Sequence, residues 1–150
     1  MKHILLALFL LLSTTASAQT TTDGSVPFKK ANAILIQTPD TGRVALRRLA
    51  SLLQERGYSV DQLNYDLHSL STKPKTVGKS GLVLSVTALY QPAGLLLRGQ
   101  YQVPALNMSV PGVAEFSGME GGANKLSFRE LETIGKAYYP EAKLEYLLKP

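Results

Sequence analysis

Apolar and polar positions repeat with two different periods along this chain, and the switches between them mark the elements. Ala31 to Gln37 is apolar on both sides, with Ile34 and Ile36 on one and Ala33 and Leu35 on the other. That predicts a central strand. From Ala45 the period lengthens. Ala45, Leu46, Leu49, Leu52 and Leu53 form one stripe, with Arg43, Arg47, Ser51 and Gln54 opposite, as on an amphipathic helix ending near Arg56. Thr38-Pro39-Asp40-Thr41-Gly42 is the turn into that helix. Thr38 is expected as its N-cap, Pro39 as its first residue, and Asp40 near its positive end. Gly57 suits a left-handed C-cap, after which Tyr58 re-enters the core and Tyr58–Val60 forms a second strand.

Further on, Asp61–Tyr65 reads as a connection and Asp66–Ser71 as a short strand. Thr72–Lys79 is polar, basic and interrupted by Pro74 and Gly78, which predicts an exposed, mobile loop. Alternation along Leu82, Leu84, Val86, Ala88 and Tyr90, and again along Leu95, Leu97, Gly99, Tyr101 and Val103, predicts a hairpin turning at Gln91–Gly94. Ser85, Thr87, Arg98, Gln100 and Gln102 mark its wetter face. Pro104–Gly112 reads as a loop or irregular edge, and Val113–Ser117 as one more short strand. Ser127 and Glu130 have capping-box spacing, with Leu126 and Leu131 as a hydrophobic staple. Phe128, Leu131, Ile134, Gly135 and Tyr138 form the second helix's stripe, and Pro140 stops it. The last segment, 143–149, fits both strand and helix patterns; the strand is the preferred reading.

The order predicts an α+β chain. The expected architecture is a two-layer sandwich, with two helices on one face of a mixed, mostly antiparallel four- to six-stranded sheet. The first strand and Tyr58–Val60 could pair in parallel, in which case the crossover is right-handed.

Composition changes this picture at the N-terminus. Lys2 and His3 precede an apolar run, Ile4–Leu12, and then Ala16-Ser17-Ala18. This is the pattern of a signal peptide over 1–18, cleaved after Ala18, and the run is too short for the roughly 20 residues that span a bilayer. Residues 19–30 are expected to be a flexible leader and 31–150 a single domain, periplasmic or extracellular. There are no cysteines, so thiol catalysis, thiolate metal sites and disulfides are excluded, and a lipid-modified N-terminal cysteine with them. The formal charge of +5 is too small for a nucleic-acid footprint, and no cofactor motif is present.

The TPDT turn, the leucine-rich helix ending in Glu55-Arg56-Gly57-Tyr58 and the Leu82–Val103 hairpin together resemble small exported bacterial α+β domains of unknown function. The resemblance implies a compact domain of the cell envelope or exterior and carries no activity. The element order is also similar to that of small lipoproteins that help assemble outer-membrane components. This chain departs from those in lacking the lipid-attachment cysteine, so their role is not carried over.

Several residues are candidates for chemistry. Arg43, Arg47 and Arg48, with Lys73, Lys75 and Lys79, form a candidate basic patch for an envelope protein or an anionic surface, provided that helix and loop converge. His68 is the one histidine beyond the signal peptide. With Asp66 on the same face of a strand it could serve a small hydrolase with an unidentified hydroxyl nucleophile, although no G-x-S-x-G elbow occurs. Asp61, Asp66 and His68 are a meagre metal set, and Glu115, Glu120, Glu130 and Glu132 are candidate paired carboxylates. The turn at Thr38–Gly42 lacks the glycines and lysine of a phosphate loop, and Asp40 opposes an anion there. A carrier for a small apolar ligand would need a cavity between sheet and helices. The leading expectation is a non-catalytic exported domain acting by surface contact, with no transmembrane segment in the mature chain.

Overall fold

The computed structural model of the protein describes residues 24–79, 81–105 and 108–150. The expected signal peptide and residues 19–23 of the leader lie outside them. In chain order the elements are β1 (Ala33–Ile36), α1 (Gly42–Glu55), β2 (Val60–Asn64), β3 (Ser69–Thr72), β4 (Lys75–Val77), β5 (Leu82–Gln91), β6 (Gly94–Ala105), β7 (Met108–Val113), α2 (Ala123–Tyr138) and β8 (Leu144–Leu147).

The β5–β6 hairpin is the spine of a single sheet. Pro92 and Ala93 turn it, and Gln91 faces Gly94 across the first rung. Each arm is long enough to take two neighbours in series. β5 pairs with β4 through Leu82–Leu84 and with β3 through Thr87–Leu89. β6 pairs with β1 through Leu95–Leu97 and with β7 through Gln100–Ala105. The main path is β2-β3-β5-β6-β1-β8, eight strands among the described residues with β4 and β7. That exceeds the four to six expected. Every pairing is antiparallel, so the sheet is not mixed. β1 and β2 do not meet, because β1 is held between β6 and β8 while β2 lies on the far edge.

Both helices cover the same face, as expected. Ile34 and Ile36 of β1, Leu84, Val86 and Ala88 of β5, and Leu95 and Leu97 of β6 meet Leu46, Leu49 and Leu53 of α1 and Phe128, Leu131 and Ile134 of α2. Each such side chain contributes about 1.5–3 kcal/mol when fully buried, so this layer carries the stability. On the other face Ala33, Leu35 and Leu96 are the apolar residues buried among those described, with Leu147 against them.

Other boundaries differ from the sequence reading for local reasons. β2 occupies Val60–Asn64, where a connection was expected, and is offset from β3 by a bulge between Val60 and Gln62. Residues 65–68 form a turn, so the expected strand begins only at Ser69. β4 runs inside the expected Thr72–Lys79 loop because the long arm of β5 offers it a ladder. β7 runs through Pro111, tolerated on an edge strand where a missing N–H breaks no outer ladder. α1 is capped at Thr41; Thr38 Oγ1 instead accepts the Asp40 N–H at 3.2 Å. α2 starts at Ala123 after Gly122, a full turn before the expected cap, and leaves Ser127 fully buried inside it with its hydroxyl unpartnered. Gly57 has φ 80, as a left-handed C-cap needs, and the last segment is a strand. Part of the expected leader is fastened down: Tyr146 N–H donates to Gly24 O at 2.7 Å, Lys30 N–H to Phe116 O at 3.1 Å, and Phe28 packs on the core.

Candidate interaction surface

The six candidate cations do not converge. Three lie near the start of α1. The Arg43 guanidinium stands over the Tyr65 ring at 4.8 Å, in the β2–β3 turn. Arg48 pairs with Asp40 at 2.7 Å and lies over Tyr138. Arg47 is exposed between them. The lysines gather at the other end. Lys75 Nζ donates to Arg56 O beyond the helix C-terminus and sits 4.4 Å from the Tyr58 ring. Lys73 and Lys79 are exposed on either side of β4. A helix of this length separates the groups by about 20 Å, twice the screening length at moderate salt, so they act as two separate sets.

Near the start of α1, polar groups are spent on one another. Asp40 takes both the Arg48 guanidinium and the Tyr138 hydroxyl, the latter at 2.9 Å. Burial, with help from the hydrogen bond to Asp40, pushes the Tyr138 phenol up to about 12. His68 sits in the turn with φ 52, its ring edge-on to Tyr90 at 6.0 Å. Gly42 makes this packing possible: a Cβ there would stand 3.0 Å from Tyr90 and 3.1 Å from the imidazole. Asp66 is exposed in the same turn, which bends rather than running as the strand assumed for an Asp66–His68 pair. Among the described residues no hydroxyl hydrogen-bonds to the imidazole, and no cluster of three metal-ligating side chains exists.

Three of the four candidate glutamates likewise have partners. Glu130 accepts from Tyr58 Oη at 3.3 Å, and Glu132 from Tyr146 Oη at 2.8 Å and from Lys136 at 2.7 Å. Burial first, then the neighbouring carboxylate, holds Tyr58 and Tyr146 far above the usual phenol range. Exposed Glu120 pairs with Lys125 and, at 2.8 Å, with Arg129; the hydrogen bond from Lys125 lowers its carboxyl below the ordinary value.

What sequence reasoning missed is at the far end of the sheet. α2 begins level with Tyr101, whose hydroxyl meets Asn124. Beyond that rung the β6–β7 ladder continues with no helix over it, through Val103↔Val110 and Ala105↔Met108. Met108 is 72 % exposed and Val110 51 %, while Val113, before the Tyr101 rung and on the other side of the sheet, is 44 % exposed. The signal was present in the sequence: no charged residue occurs between Arg98 and Glu115. The prolines in that run led to its assignment as a loop. The helix-free face adds two shallow hollows, of about 280 Å³ beside Pro74, Ser85 and Gln102 and about 310 Å³ beside Gln62, Thr87 and Arg98.

No family model and no curated protein matches this chain. Its function is therefore argued from its own geometry. Among the described residues no helix is long and apolar enough to cross a membrane.

Proposed function

We propose that this is an exported domain, periplasmic or extracellular after cleavage at Ala18, that works by surface contact with an envelope or extracellular partner rather than by catalysis. The contact is made by the β6–β7 hairpin. One observation carries this reading: Met108 and Val110 are exposed together on one side of the edge strand β7. Isolated exposed apolar residues are ordinary, whereas a cluster on one projecting element marks an interaction site. Export is supported by the Lys2–His3 start, the apolar Ile4–Leu12 run and the small residues around Ser17.

Cell fractionation of a bacterial host expressing the full chain tests both parts. Mass analysis should find a mature chain beginning at Gln19 outside the cytoplasm; a cytoplasmic chain retaining Met1 overturns export. The double variant Met108→Ser, Val110→Ser should leave the envelope fraction with an unchanged melting midpoint. Equal envelope association of variant and parent overturns the hairpin contact.

A further inference from the structure

We infer that the helix-free face of the sheet is a self-association surface, on which a second copy of this chain packs face to face about a two-fold axis. The inference goes beyond the contact reading above. It uses the opposite face of the sheet from Met108 and Val110 and leaves both free.

Register arranges the middle of that face in four rows of side chains. The first joins Leu35, Leu96 and Leu89. The second joins Arg98 and Thr87. The third joins Val113, Gln100 and Ser85, and the fourth Pro111, Gln102 and Val83. A two-fold axis lying across the strands, between the second and third rows, exchanges the first row with the fourth and the second with the third. β1 and β7 lie on the same side of β6, in series, so Leu35 of one copy then meets Pro111 of the other. Leu89 meets Val83, and Thr87 meets Ser85. Arg98 meets Gln100 rather than a second arginine. Of the pairings on β5 and β6, only Leu96 with Gln102 sets an apolar group against a polar one. A patch that is its own complement is what an isologous contact requires.

Exposure, charge and size favour a second copy over solvent. Leu89 and Val113 are each 44 % exposed on this face. The axis carries Leu89 over the hollow of about 280 Å³ that Val83 and Pro111 line in the other copy. Arg98 is the one charged residue in the four rows, and its guanidinium already donates to Pro150 O at 3.2 Å. A solvated surface carries charge at about one residue in four. β5 is ten residues long, and the β5–β6 pair has a strand on either side. Four strands of that length cover about 33 by 19 Å, or roughly 600 Å². β2 and β8 extend this toward the roughly 800 Å² that each partner of a stable interface buries. Two sheets stacked this way lie about 10 Å apart, as in a β-sandwich, with both pairs of helices on the outside.

The test is sedimentation equilibrium of the purified mature chain from about 1 to 100 μM. The expected species has twice the chain mass at the upper end and dissociates on dilution. Thr87→Lys and Ser85→Glu should each raise the dissociation constant about tenfold or more, because each leaves an unpaired charge in the interface. Mixed in equal amounts the two variants should associate again, since the axis sets position 87 of one copy against position 85 of the other. Circular dichroism checks that each variant is folded. The sequence has no cysteine, so the double variant Val83→Cys, Leu89→Cys gives a second measurement. Those positions are about 20 Å apart along β5, too far to bridge within one chain, and oxidation should yield a covalent dimer on a denaturing gel. A chain that stays monomeric at the highest concentration overturns the proposal. So does association undiminished in both folded charge variants, or a cysteine variant that gives no covalent dimer on oxidation.

Discussion

The two ends of this sheet use their side chains in opposite ways. At the end where α1 begins, charge is abundant and consumed internally: Arg48 and Tyr138 share Asp40, Arg43 covers Tyr65, and His68 packs between Gly42 and Tyr90. At the end where β6 and β7 run past α2, charge is sparse and apolar groups face solvent. A cluster of cations in a sequence is thus a poor guide to a binding surface. Partnered cations orient structure, while unpartnered apolar groups cost solvation free energy that a fold retains only where something offsets it.

The comparison can be broken at several strengths. The largest effect belongs to the core beneath both ends. Phe128→Ala removes a fully buried ring packed against Phe116 and Tyr146, and should cost about 3–5 kcal/mol in urea unfolding. Next comes Asp40→Ala, which removes the ion-pair partner of Arg48 and the nearer acceptor of the Tyr138 hydroxyl and should cost about 1–2 kcal/mol. Its control at the same end, exposed Arg47→Ala, should stay within about 0.5 kcal/mol. Equal losses for the two would remove the claim that this end is built from committed pairs.

The smallest effect is hidden at neutral pH. Tyr58, Tyr138 and Tyr146 have phenol pKa values raised in the folded chain above the ordinary value near 10. A raised folded pKa means that the stability is present in full below about pH 10. It is lost as pH rises toward the folded value of about 12 for Tyr138, because the unfolded chain ionises first. Tyr138→Phe should make this alkaline decline shallower than in the parent, measured relative to each protein's stability at pH 7. An unchanged decline would mean that Tyr138 titrates normally.

Much of the framework was legible because its signals are local. The Ala45–Leu53 stripe, the Gln91–Gly94 turn and the Phe128–Tyr138 stripe each specify an element from within. β4 and β7 were not legible. Lys75-Thr76-Val77 has no strand pattern of its own and is extended because β5 reaches past β3 and offers it a partner. Pro104 and Pro111 argued against a ladder that survives because β7 is an edge. Ser127 misled for a different reason. The spacing to Glu130 fits a cap, but Ala123–Leu126 extend the helix by a turn, and the small serine is what fits beneath it. The candidate surface suffered most, since the distance between Arg43 and Lys79 depends on which way α1 lies across the sheet, and no local pattern carries that.

The placement of β1 between β6 and β8 also has a temporal consequence. β1 acquires its second neighbour only from Leu144–Leu147, far along the chain from it. Tyr146, which fills the core from that strand, arrives equally late. A growing or partly threaded chain therefore cannot complete its sheet, however far its N-terminal half has emerged. The topology keeps the sheet open until Leu144–Leu147 are available to close it.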